Sequence, residues 1–271
     1  MQYAIFYDQV MAQIAQGQAK SALIQLSGML DATRMARGGY DAAGDALRHH
    51  ELFALLNRIQ PVSAQSGYEG KFAVPAFLQA SDQSGLDPTA RLLFEAMLDL
   101  PPVHAIIKRA DHAGPILAQA WQDGRSICVM SSDPSRALRM LTGRDQSNIT
   151  VCSASQIAAG TRYDLIYAPD LLFETGAATL AVMFSHLAAH LTPDGLALLT
   201  SLIPDHLGAG WRQLCLNWEP HCHNAQTLSA AADLAGVNAR FYDDPQGCVL
   251  WCELARGGGD DDDDDDGSII S

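Results

Sequence analysis

Apolar residues recur at helical spacing over about the first 115 positions. Ile5, Val10 and Ile14 form one set, Leu23, Leu26 and Leu30 a second, and Leu52, Leu55, Leu56 and Ile59 a third, with breaks at Gly38-Gly39 and Pro61. A further group runs from Pro88 to Gln122, in which Leu92, Leu93, Met97, Leu98, Ile106, Ile107, Ile116, Leu117 and Ala120 face one way. Pro101-Pro102 and Gly114-Pro115 punctuate it, so it reads as two or three helices. The pattern predicts an all-helical N-terminal region.

From Arg125 the rhythm changes to short apolar strands alternating with helices. Ser126 to Met130 reads as a buried strand, Pro134 to Leu141 as a helix, Asn148 to Cys152 as a second strand and Tyr163 to Tyr167 as a third. A helix from Thr179 to His190, a turn at Pro193-Asp194-Gly195 and a strand from Leu196 to Ser201 follow. Alternation of this kind predicts a parallel, doubly wound sheet. Ala239 to Asp243 and Cys248 to Leu254 flank Asp244-Pro245-Gln246-Gly247 and read as an antiparallel hairpin. The expected fold class is therefore α/β: a Rossmann-like sheet with a terminal antiparallel hairpin, preceded by a helical region. The expected boundaries are 1–115 for the helical region, 116–256 for the Rossmann-like domain and 257–271 for a Gly/Asp tail that cannot build a core.

Composition narrows the function classes. With 271 residues and 48% hydrophobic content the chain can bury a large core, which excludes a disordered or collagen-like protein. The net charge of −14 owes half its size to the aspartate run Asp260 to Asp266, leaving a mildly acidic globule. No basic cluster exceeds Lys108-Arg109, so nucleic acid is not an expected partner. The scarcity of lysine beside abundant alanine fits a GC-rich bacterial coding bias. Six cysteines without a CxxC pair argue against a disulfide scaffold or a four-cysteine zinc module. The first basic residue is Lys20 and no apolar stretch approaches the roughly 20 residues that span a bilayer. These features predict a cytosolic protein with reduced thiols and no membrane partner.

Tyr163-Asp164-Leu165-Ile166-Tyr167-Ala168 before a helix, then Leu191-Thr192-Pro193-Asp194-Gly195-Leu196-Ala197-Leu198-Leu199, resembles the fourth and fifth strands of class I S-adenosylmethionine-dependent methyltransferases. More narrowly, Gly67-Tyr68-Glu69-Gly70 (with Lys71 in place of an aspartate), Asn217-Trp218 and Asp243-Asp244-Pro245-Gln246-Gly247 resemble the bacterial methyltransferase-like proteins of extracellular-factor, 3-hydroxypalmitate methyl ester, biosynthesis. The likeness covers roughly residues 45 to 256 and rests on the order of the motifs. It implies S-adenosylmethionine as cofactor and a small-molecule acceptor with a carboxylate, hydroxyl or amine. Rate would then come from holding the donor methyl in line with the acceptor and excluding water. Any dimer or protein partner would use the helical N-terminal region.

A nucleotide cofactor in such a sheet lies beyond the carboxyl ends of the strands, where the first loop usually carries glycine and an acid about 20 residues on holds the ribose. Here the loop is Ser131-Ser132-Asp133, without glycine, and the ribose position falls near Ser153, without a carboxylate. Ser132 or Asp133 could equally cap the helix begun by Pro134. Ile127 and Asp164 lie 37 residues apart, room for about one strand-helix-strand unit of roughly 30 residues where the methyltransferase order has two. By position Asn148 to Cys152 reads as the second or the third strand, and its closeness to the next strand argues for the third, which would make the ribose-binding strand the lost one. These departures leave open a methyltransferase-like protein that acts as a binding or partner subunit.

The candidate cofactor contacts are Ser131, Ser132, Asp133, Ser153, Tyr167, Ala168 and Asp170. The candidate catalytic groups are His221, His223 and Asp170, since imidazoles titrate near neutrality and the segment follows the fifth strand of the family order. Tyr68 and Trp218 are the candidate substrate contacts. His186 and His190 share a helix face, and His221, Cys222 and His223 are close in sequence, but neither set has the ligands for a metal site. No metal is expected.

Overall fold

The computed structural model describes residues 2–36, 39–57, 85–131, 134–153, 156–158, 160–216 and 218–257. The Gly67-Tyr68-Glu69-Gly70 element, Ser132, Asp133, Asn217 and the aspartate run lie outside them.

Six helices open the described chain: α1 (Gln2–Ala15), α2 (Ala19–Met35), α3 (Gly39–Arg48), α4 (Glu51–Asn57), α5 (Pro88–Leu98) and α6 (Pro101–Gln122). Tyr7, Val10 and Ile14 of α1 pack against Leu23, Leu26 and Leu30 of α2, each set spaced to fill one face. The Tyr7 hydroxyl, in this apolar interior, donates to Ala43 O of α3 at 2.8 Å, which satisfies its one polar atom. Asp87 starts α5 by accepting from Ala90 N at 2.9 Å, with Pro88 in the first turn. The expected break at Gly114-Pro115 does not occur, because α6 runs straight through it. Pro115 lies on the exposed side, where the carbonyl it leaves unbonded can turn to water.

The six strands are β1 (Ile127–Val129), β2 (Ile149–Val151), β3 (Tyr163–Ala168), β4 (Leu191–Leu202), β5 (Val237–Asp243) and β6 (Val249–Arg256), in the order β2-β1-β3-β4-β6-β5. The first four are parallel, and β6 runs antiparallel between β4 and β5, with which it forms the hairpin. The assignment of Asn148 to Cys152 as a third strand needs correction. β2 lies directly beside β1, with Ile127 opposite Ile149 and Val129 opposite Val151, so it holds the second-strand position. β2 is the edge strand on this side of the sheet, with β1 as its neighbour.

The turn Pro193-Asp194-Gly195 is absorbed into β4 as an irregularity, since Tyr163 pairs with Leu191 but Leu165 with Leu196. A Cβ on Gly195 would meet Tyr163 O at 2.9 Å, which explains the glycine.

Side chains alternate across the sheet into two cores. Leu165 and Tyr167 of β3 and Leu198 and Leu202 of β4 face the helical region, most directly α6. Ile166, Ala168, Ala197 and Leu199 face α9 (Leu180–Ala189) and α11 (Ala225–Ala235) on the other side. The short helices α7 (Pro134–Ala137), α8 (Leu171–Glu174) and α10 (Ala209–Leu216) complete the chain. Among the described residues no helix is long and apolar enough to cross a membrane.

Candidate functional site

The chain leaves β1 toward β2 on one side and leaves β3 toward β4 on the other, so the sheet reverses direction of travel between β1 and β3. Ligands of open α/β sheets bind at this switch point, beyond the carboxyl ends. The segments that emerge there are Met130-Ser131 after β1, Cys152-Ser153 after β2 and Pro169-Asp170 after β3. Ser153 is exposed and its backbone N–H donates to the Gln156 side chain at 2.8 Å. Ala168 is fully buried, and Tyr167 is 2% exposed within the core on the helical side. Burial pushes the Tyr167 phenol well above the ordinary tyrosine range, with the Arg109 charge opposing and the Asp170 charge adding to the shift. Tyr167 thus stays a neutral packing group behind the switch point.

Arg109 is the residue the sequence reading missed. It comes from α6 and is 7% exposed, with its guanidinium laid across the ends of β3 and β4. One terminal nitrogen donates to Pro169 O at 2.7 Å and to Thr200 Oγ1 at 2.8 Å, and the other pairs with Asp170 Oδ1 at 2.7 Å. Thr200 in turn donates to Pro169 O at 2.6 Å. The Phe173 ring lies 5.1 Å from the guanidinium carbon. A charge this deeply buried is tolerated because every side of it is paired. The signal for it lay in the helix pattern, where Arg109 falls in phase with Ile106, Ala113 and Leu117 on the buried face.

Asp170 therefore sits at the expected position after β3, clamped by Arg109. It also opens α8, the four-residue turn around which the other candidates gather. His221 N donates to Phe173 O at 2.9 Å, and His223 Nε2 meets Thr175 O at 2.9 Å. His223 N donates to Ser201 Oγ at 2.9 Å, and Leu202 pairs with Cys222 in an isolated parallel bridge. The segment after α10 is thus sewn to both β4 and α8.

The two imidazoles share a side, as their spacing predicts, with ring centroids 6.3 Å apart. Their environments differ. His223 is 4% exposed and burial holds its pKa below the ordinary histidine value. A ring nitrogen facing a carbonyl must carry the proton, so that nitrogen of His223 is a donor and cannot accept one. His221 is half-buried. Trp218 is 1% exposed, edge-on to Phe173 at 5.7 Å and beneath the Arg212 guanidinium, so it backs the site as a wall and does not line it. Cys222 points the other way, toward Arg212.

His190 is buried, with Nδ1 on Thr161 O at 2.8 Å, while His186 is exposed. Among the described residues no three His, Cys, Asp or Glu side chains converge as a metal-binding group.

A cleft of about 480 Å³ opens where α3 and α4 meet α10. Tyr40, Arg48, Phe53, Gln213 and Glu219 contribute to its lining. Its wall is fixed by Asp31 of α2, whose carboxylate accepts from Gly208 N at 2.6 Å and Gly210 N at 2.8 Å at the start of α10, and by Tyr40, whose hydroxyl donates to Gly210 O at 2.8 Å. Glu219 follows Trp218 directly, so the cleft and the Asp170 region are back to back on one short segment.

No protein-family model matches the chain, and comparison with curated proteins gives no match. Among solved structures, a "possible exported protein" from Bordetella parapertussis aligns over 92% of this chain and 97% of its own at 17% identity and a TM-score of 0.48. The mitomycin 7-O-methyltransferase MmcR aligns over 93% and 98% at 14% identity and a TM-score of 0.42. Magnesium protoporphyrin IX methyltransferase from Synechocystis, with bound S-adenosylhomocysteine, aligns over 66% and 91% at 14% identity and a TM-score of 0.42. These are distant likenesses, and it is the chain's own strand order that makes it a Rossmann-like α/β protein with a terminal antiparallel hairpin and a helical N-terminal region.

Proposed function

We propose that this chain is a small-molecule methyltransferase that uses S-adenosylmethionine. The observation that carries the reading is the sheet order, which puts the switch point between β1 and β3 and keeps the ribose-side strand β2 beside it. What supports the donor reading is position along the chain: Ser131, Ser153 and the Pro169-Asp170 turn follow the carboxyl ends of β1, β2 and β3. The ribose-holding acid is lacking, since the chain after β2 offers Cys152 and Ser153 and no carboxylate. When bound, the donor supplies an activated methyl group, and the chain's own task is to position the acceptor and exclude water.

The cleft at α3, α4 and α10 has the volume expected of a small-molecule site, which runs from about 300 to 1,000 Å³. The narrower resemblance to extracellular-factor proteins favours a carboxylate acceptor, which needs no base. For a hydroxyl or amine the base is His221, whose ring is less buried than that of His223. Tyr68 remains a proposed acceptor contact.

A second reading, a methyltransferase-like partner subunit without methyl transfer, is favoured by the Arg109 clamp, which occupies Asp170 and closes the end of β3. Calorimetric titration with S-adenosylmethionine and S-adenosylhomocysteine separates the two. Micromolar binding of either supports the methyltransferase, and no heat at millimolar donor on folded protein overturns it in favour of the partner subunit.

A further inference from the structure

Cys128 and Cys152 bring their sulfurs to 3.4 Å across the ends of β1 and β2. Cys128 stands opposite Thr150, so Cys152, two residues on, projects from the same face of the sheet. Both belong to the core on the α9 side. The six cysteines are all free thiols, and this is the pair whose sulfurs approach each other. Elsewhere Cys222 faces a guanidinium and Cys248 faces backbone carbonyls.

We propose that Cys128 and Cys152 are a reversible dithiol/disulfide site, oxidised by low-molecular-weight disulfides such as glutathione disulfide. A disulfide needs the sulfurs at about 2.05 Å, so the pair must close by little more than an ångström. Cys152 lies one residue past the end of β2 with its N–H on Val129 O at 3.2 Å, so the chain there is held beside β1 and the side chains supply the movement. Cys152 is half-buried and meets the oxidant, while Cys128 is wholly buried and its thiol is pushed up in pKa by that burial and by its neighbour.

The first step is attack of the Cys152 thiolate on the oxidant, forming a Cys152 mixed disulfide and releasing one thiol. Cys128 sulfur then displaces the second thiol and forms the Cys128–Cys152 bond. Two protons and two electrons leave the protein as the two thiols released. The bond would tie the chain that carries Ser153 to β1 at the rim of the switch point. It stands independently of whether methyl transfer occurs there.

The test uses the full chain, incubated with millimolar glutathione disulfide at mildly alkaline pH, alkylated, digested without reduction and mapped by mass spectrometry. The expected product is a peptide pair linked through Cys128 and Cys152, lost on treatment with dithiothreitol. Cys128→Ser should instead retain glutathione on Cys152, and Cys152→Ser should show no linked pair. Wild-type protein that stops at a glutathione adduct on Cys152, or keeps both thiols free for alkylation after denaturation, overturns the proposal. Because the wild-type map decides by itself, a variant that fails to fold does not obscure the result.

Discussion

At the scale of single residues, Arg109 shows how one buried charge organises a surface it does not belong to. Its guanidinium ties α6 to Pro169, Asp170 and Thr200, three points on the ends of two strands. Arg109→Leu would leave Asp170, with a side chain only 14% exposed, without its cation. Removing one partner of a buried pair costs about 3–5 kcal/mol, and urea denaturation of the variant should show a loss in that range. Arg109→Lys should recover less than half, because an ammonium cannot serve three acceptors in a plane as the fork does.

His206 provides a second residue-scale prediction. It is 4% exposed with Nε2 unpartnered, and burial is the main cause holding its pKa down at about 4 against an ordinary value of 6.5. In the unfolded chain it takes a proton at higher pH than in the folded one. Stability is therefore full above pH 6.5 and falls as pH drops from 6.5 toward 4, by up to about 3 kcal/mol from this group. Thermal melts of His206→Gln between those limits should show a shallower decline than the wild type. Neither residue could be valued from sequence. An arginine in apolar phase on a helix announces burial and a loop histidine such as His206 does not, and only the tertiary fold says which groups surround either.

At the scale of elements, the pattern read most clearly where the period was local. The two hairpin strands were legible from their alternation and from Asp244-Pro245-Gln246-Gly247 between them. The turn itself is held by Asp244, whose carboxylate accepts from Cys248 N at 2.7 Å, Val249 N at 2.6 Å and Gln246 N at 3.1 Å, with Gly247 at a φ of +64° that suits glycine. Asp244→Ala should cost about 1–2 kcal/mol, read as a lowered denaturation midpoint with unchanged slope. The assignment of β2 failed because nearness along the chain is not nearness in a sheet, and a three-residue strand carries no mark of which neighbour it pairs with. The reading of Gly114-Pro115 as a break failed for a different reason. Packing of α6 on both the helices and the sheet outweighs the loss of one hydrogen bond on its exposed side. Pro115→Ala should restore that bond and stabilise the protein, by no more than about 3 kcal/mol, as a rise in melting temperature.

At the scale of the whole molecule, the helical region and the sheet share one core. Tyr7 and Leu23 belong to the same buried cluster as Leu165, Leu198 and Trp251. The compositional change near residue 115 marks a change of architecture, and α6 crosses it without interruption. A chain that begins at residue 116 would expose one full face of the sheet, so it should aggregate or bind hydrophobic dyes, where the full chain melts cooperatively. The switch point was legible as a place because it follows from strand order. The groups that furnish it were not, since Arg109 reaches it from a helix far back in the sequence.

At the edge of the sheet β2 is three residues long with a single neighbour, and its Val151 is 53% exposed. In the interior β4 is paired with both β3 and β6 across Leu196 to Leu199, and at the far margin β5 pairs with β6 over all seven of its residues. The β2 margin is therefore the weaker of the two. Amide deuterium uptake should follow that pairing, fastest at Ile149 to Val151 and slowest at Ala197 to Ser201. The margin beside the switch point is then the softest part of the sheet, able to reshape around a guest while the hairpin flank stays fixed.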